Sequence, residues 1–129
     1  MSLYSESMLL LDGVSVTTIS SSVPVGSKKN FSLQLFSSNM VLGDSGTYSV
    51  EVSNDGLNWT TYNRLVSNTT NTNVQGDTRV ASIVFVNAND NDFLFFPSDD
   101  HFDYMRVTVT VAGGSEAEYS AKLSYQSEF

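Results

Sequence analysis

At 129 residues the chain is the length of one domain, and its hydrophobic share of 40% is enough for a packed interior. Fourteen acidic against 6 basic residues give a formal net charge of -8, a surface that repels phosphate backbones and anionic lipid. There is no cysteine, which excludes disulfides, thiolate nucleophiles and cysteine-based zinc sites, although it does not fix the redox compartment.

Residues 1–12 show no clear period and read as an N-terminal arm, with Leu9, Leu10 and Leu11 docking on an apolar surface. The apolar run from Met8 to Leu11 is too short to span a bilayer and lacks the basic flank of a secretory signal. The remainder, 13–129, reads as a single domain. Val14, Val16 and Ile19, rich in β-branching, begin a first strand. Phe31, Leu33 and Leu35 alternate with polar neighbours and predict a second.

Tyr48, Val50 and Val52 alternate with Ser49, Glu51 and Ser53, the period of a half-buried strand. Asn54-Asp55-Gly56 follows, and these residues tolerate the positive φ of tight turns. Leu57, Trp59 and Thr61 then alternate again. The stretch reads as a hairpin, with Asp55 and Gly56 making its turn and Trp59, the only tryptophan, filling the core.

From 67 to 77 the polar composition predicts an exposed loop. The stretch 79–86 predicts a strand, with Ala81, Ile83 and Phe85 on one face and Val80, Val84 and Val86 on the other. An acidic, amide-rich loop over 87–92, the apolar run 93–96 and a second acidic loop over 98–103 follow. Strands are predicted over 104–111 and 119–125. No helix-length apolar stripe occurs. The pattern predicts an all-β protein, an antiparallel β-sandwich of jelly-roll-like form, with an Ig-like sandwich or a closed barrel as the alternative.

Calcium takes roughly six to eight oxygens, and two neighbouring acidic loops are the one place they could come from. The candidate ligands are Asn89, Asp90, Asp92, Asp99, Asp100 and Asp103; the plainer reading is two solvated loops. No other cofactor is implied. His101, the single histidine, lies among aspartates but has no second histidine and no triad order, so no catalytic residue is assigned and no enzymatic activity is expected. Trp59, Tyr62 and Tyr48 are the candidates for an aromatic sugar platform. Arg106 interrupts an apolar strand on its polar face and reads as a structural ion-pairing residue, with Glu51 its candidate partner.

Two sets of known proteins carry similar motifs. Ser53, Asp55, Gly56 and Trp59, followed by Tyr104, Arg106 and Val107, resemble the discoidin, or galactose-binding-like, jelly rolls. The same Ser-Asn-Asp-Gly-x-x-Trp hairpin, with the opening Val25–Phe36 segment, resembles small virion proteins of tailed bacteriophages. The phage resemblance implies a non-enzymatic structural protein located in the virion, a head decoration, head–tail or tail accessory subunit. The discoidin resemblance implies the alternative, a carbohydrate-binding module. Partners are then other virion proteins, with neither nucleic acid nor membrane. Apolar residues beyond the needs of one buried face imply a homo-oligomer, a trimer as first expectation, using Phe93, Leu94, Phe95 and Phe96 or Leu9, Leu10 and Leu11 as interface.

Overall fold

The computed structural model describes residues 3–67, 79–96, 101–114 and 116–128. Among them there are strands, turns and bends but no helix. The strands form two antiparallel sheets packed face to face, an all-β sandwich and not a closed barrel. The first sheet runs β1 (Leu3–Val14), β12 (Glu118–Glu128), β4 (Lys29–Ser38), β10 (Asn91–Phe95), β7 (Leu65–Ser67) and β8 (Arg79–Val80) in spatial order. The second runs β2 (Thr18–Ile19), β11 (Tyr104–Ala112), β5 (Ser45–Ser53) and β6 (Thr60–Thr61). Two further strands join it, β3 (Val23–Pro24) beside β11 and β9 (Ile83–Val86) beside β5.

Alternation decides what goes inside. On β5, Tyr48 and Val50 are buried while Ser49 and Glu51 are only half-buried on the outer face. Met105, Val107 and Val109 of β11 face them from the next strand, and Leu33 and Leu35 of β4 with Tyr119, Ala121 and Leu123 of β12 supply the opposite layer. Tyr48 bridges the layers. Its ring lies edge-on to Phe85 and Tyr119, with centroids 5.3 and 6.3 Å away. Its hydroxyl reaches the carbonyls of Phe36 and Ser120, each at 3.1 Å, which are paired residues of β4 and β12 in the facing sheet.

Several expected elements take a different form. Residues 3–12 are not an arm but most of β1, hydrogen-bonded along β12. Bulges between Leu9 and Leu11 and between Leu11 and Val14 put neighbouring leucines toward the interior and conceal the two-residue period. The strand expected from Val14 to Ile19 is divided: β1 ends at Val14 in one sheet and β2 begins at Thr18 in the other. Likewise the strand expected over 79–86 breaks at Ala81 and Ser82, with β8 in the first sheet and β9 in the second. On β9 only Ile83 and Phe85 turn inward; Val84 and Val86, the apolar side chains of the other face, stay more than half exposed. Beyond Ser67, the loop expected over 67–77 lies outside the described residues.

At Gly46 a side chain of the facing sheet comes close to the backbone. A Cβ at this position would overlap the Tyr119 ring, which lies against the β5 backbone. Gly46→Ala is therefore expected to destabilise the domain by about 1–3 kcal/mol through overpacking. Urea unfolding should show this as a lowered midpoint with an unchanged slope.

Candidate functional site

Side chains able to contact a ligand gather at the sandwich end where β5 turns into β6. The turn is built around Asp55. Its Oδ1 accepts the amides of Leu57 and Asn58, each at 2.8 Å, and the Ser53 hydroxyl at 2.8 Å. Its Oδ2 accepts Asn58 Nδ2 at 2.7 Å. Ser53 Oγ in turn accepts the amide of Gly56 at 2.9 Å, and Gly56 has φ 75°, the left-handed conformation that glycine adopts without strain. The turn is wider than a two-residue hairpin. Its ladder resumes only at Thr60 and Thr61, opposite Val52 and Glu51, and Leu57 stands 84% exposed at its tip.

Trp59 does not fill the core. It is half-buried on the outer face of the second sheet, where the Arg106 guanidinium carbon lies 4.2 Å from the ring centroid. Arg106 Nε also donates to Glu51 Oε1 at 2.8 Å, and these residues are directly paired across β11 and β5. The sequence pairs Arg106 with Glu51 but carries no signal for the stack, because alternation after a wide turn does not say which face Trp59 takes. The other platform candidates are interior residues. Tyr48 is 1% exposed, with burial pushing its hydroxyl above the ordinary tyrosine value, and Tyr62 is 7% exposed.

Beside the turn lies an open cleft of about 400 Å³. Amides of Asn54, Asn58 and Asn63, the Arg64 guanidinium and His101 rim it, and Tyr62 and Phe102 close its inner side. Tyr62 and Phe102 belong to an aromatic cluster with Phe96 and Phe31, centroids 5.4 to 6.2 Å apart. No carboxylate appears among the described lining residues. Such a set offers hydrogen bonds to a polar ligand over an apolar floor. His101 Nε2 sits 3.3 Å from Asp103 Oδ1 with the side chains 71% and 48% exposed, a solvated pair.

The four candidate calcium ligands among the described residues do not converge. Asn89 Oδ1 accepts the amide of Met40, and Asp90 Oδ1 accepts that of Asn91, both 2.8 Å away. Asp92 is a residue of β10, 3% exposed, and not part of a loop. Asp103 lies at the opposite end, its amide donating to the carbonyl of Ser53 at 3.2 Å, while the 87–90 loop bonds to Asp44 next to the start of β5. A nine-residue strand separates them, roughly 26 Å at the usual rise. Asp99 and Asp100 lie outside the described residues. Among those described, no group of three or more histidines or acids is arranged to hold a metal.

Of the expected interface, Leu94 is 1% exposed and Phe96 packs in the aromatic cluster, so both serve the core. Phe93 faces outward at 38% exposure, and the side chain of Phe95 lies outside the description. Leu11 is 2% exposed, Leu10 packs partly against the core, and Leu9 is 49% exposed.

A second knot, unmarked by any motif, ties the other end. Asp44 is 4% exposed and accepts the amides of Val41 at 3.0 Å and Gly114 at 2.8 Å. Asn87 accepts the Gly43 amide at 2.9 Å and donates its own to the Asp44 carbonyl at 2.9 Å. The Val41 and Gly114 amides hold the Asp44 carboxyl below its ordinary value, as those of Asn58 and Leu57 hold Asp55 well below its own.

No family model matches the chain, and no curated protein matches it. Among solved structures it is similar to the crystal structure of the SPBc2 prophage-derived protein YomS, with a TM-score of 0.64 and 13% identity. The likeness covers 98% of this chain and 96% of that one, so the two share the whole fold.

Because Asp44 and Asp55 titrate lower folded than unfolded, their contribution is complete above the unfolded value near 3.8 and is lost as pH falls through the folded values. Urea midpoints followed from neutral pH into acid should fall below about pH 4. Asp55→Asn should start lower at neutral pH and lose less on acidification. Trp59→Ala, which removes a surface cation–π stack, is expected to cost about 1 kcal/mol. Truncating a core aromatic would cost about 3–5 kcal/mol. Ready quenching of Trp59 fluorescence by iodide checks the same placement.

Proposed function

We propose that this chain is a non-enzymatic structural protein of a tailed-phage particle, a head decoration, head–tail or tail accessory subunit. The observation that carries the reading is the end-to-end likeness to a prophage-derived protein, over 98% and 96% of the two chains. The Ser53-Asn54-Asp55-Gly56 turn with Trp59, which resembles a motif of small virion proteins, supports it. Its role is assembly in the virion beside other virion proteins. The outward side chains suit this: Val41 and Leu42 at one loop tip, Leu57 at another, and Val84 and Val86 on β9 are more than half exposed.

The test is the protein content of purified particles. An antibody or peptide signal for this chain that co-sediments with intact particles through a density gradient, at many copies each, supports the reading. Particles that carry none of it overturn the reading, wherever the gene is found.

One observation favours the alternative, a carbohydrate-binding module. Trp59 lies at the surface, next to a cleft rimmed by amides. Binding on a glycan array that Trp59→Ala or Asn63→Ala abolishes would favour this alternative.

A further inference from the structure

A strand at the edge of a sheet leaves a row of backbone donors and acceptors open to another chain, and soluble proteins guard such edges with short strands, lysine, proline or bulges. Most edges here are short. Strands β8, β6 and β2 have two residues each, β3 has two including Pro24, and β9 has four. Strand β1 is different: it has 12 residues and contains no lysine, arginine or proline. Its bulges begin only after Leu9, so Leu3–Leu9 is regular edge. Ser5, Ser7, Met8 and Leu9 are exposed, and Glu6 is the single charge in that stretch of a chain of net charge -8.

We infer that two copies of this chain pair edge to edge through Leu3–Leu9, antiparallel about a two-fold axis, joining their first sheets into one.

The faces fix the register. Glu6 and Met8 stand opposite Tyr125 and Leu123, on the core side, and Leu9 stands opposite Lys122, on the outer side. Directly opposed residues of an antiparallel pair share a face, so a continuous sheet must match core side to core side. Under two-fold symmetry that places one residue on the axis. With Glu6 there, two carboxylates would face each other. With Met8 there, the pairing would run into the bulge after Leu9, and with Ser5 there it would cover only Leu3–Ser7 and leave the exposed Met8 and Leu9 outside it. With Ser7 there, Glu6 meets Met8 and Ser5 meets Leu9, with no like charges opposed. A second copy is the fitting occupant because one strand is then its own complement, and the pairing consumes the one long edge among the described residues, so growth stops at two. This inference stands on the strand itself and is independent of the phage reading.

The chain has no cysteine, so Ser7→Cys carries a sole thiol. Opposed residues in an antiparallel pair have Cα atoms roughly 4.5–5.5 Å apart, within disulfide range. Mild oxidation of Ser7→Cys should give nearly complete covalent dimer, while Ser21→Cys, exposed and away from β1, stays monomeric under the same treatment. In sedimentation the unmodified chain should run as a dimer that tightens with added salt, since screening weakens repulsion between two anionic copies. Ser7→Lys, which sets two cations on the axis, should run as a monomer with unchanged circular dichroism. A monomer at every concentration, a trimer, equal cross-linking of the two cysteine variants, or a dimer untouched by Ser7→Lys would each overturn the inference.

Discussion

The two sheets are held in one relation to each other by Tyr48. Its ring comes from β5 and its hydroxyl ends on the carbonyls of Phe36 and Ser120 in the facing sheet. A buried phenol that finds partners only across the layer gap fixes separation and lateral offset together, which aliphatic contacts alone do not. Gly46 depends on that offset, since it yields its side-chain space to Tyr119 from the same facing strand. The ends of the sandwich then have fixed strand termini from which loops can be tied.

Those loops are tied by carboxylates accepting backbone amides. Asp55 closes the β5–β6 turn on itself, whereas Asp44 joins its own loop to the one after β11. An ionised acceptor on two amides is stronger than a neutral one. In both places a carboxylate supplies order where the strands end. This accounts for the use of some acidic residues on a strongly anionic chain; the cleft rim, by contrast, is lined by amides and an arginine.

The architecture was legible wherever a strand keeps one face in and one face out, as in Tyr48–Val52 and Met105–Val109. Legibility failed where that rule lapses. Bulges in β1 turn consecutive leucines inward and disguise the longest strand as an irregular arm. Crossings at Ser15–Thr17 and Ala81–Ser82 change sheets without a glycine or proline to announce it. The run Phe93–Phe96 reads as surplus apolar surface, yet Leu94 is buried and Phe96 packs against the core, while Phe93 turns out. At the candidate site, the Glu51–Arg106 pair follows from two strands that keep a two-residue period. Trp59 is missed because its face depends on the length of the turn. The cleft is missed because its lining comes from segments far apart in sequence.

The Asp55 turn has a chemical consequence as well as a structural one. An aspartyl–glycyl bond is a weak point in most chains, because the unhindered glycine nitrogen can attack the neighbouring carboxyl carbon and close a succinimide, which reopens mostly as isoaspartate. Here both reactants are engaged elsewhere. The Gly56 amide points at Ser53 Oγ, and the Asp55 carboxylate is turned onto the amides of Leu57 and Asn58. Ring closure requires breaking those bonds first. The fold thus slows the ageing of this aspartyl–glycyl bond, and any event that opens the turn starts a clock on covalent damage there.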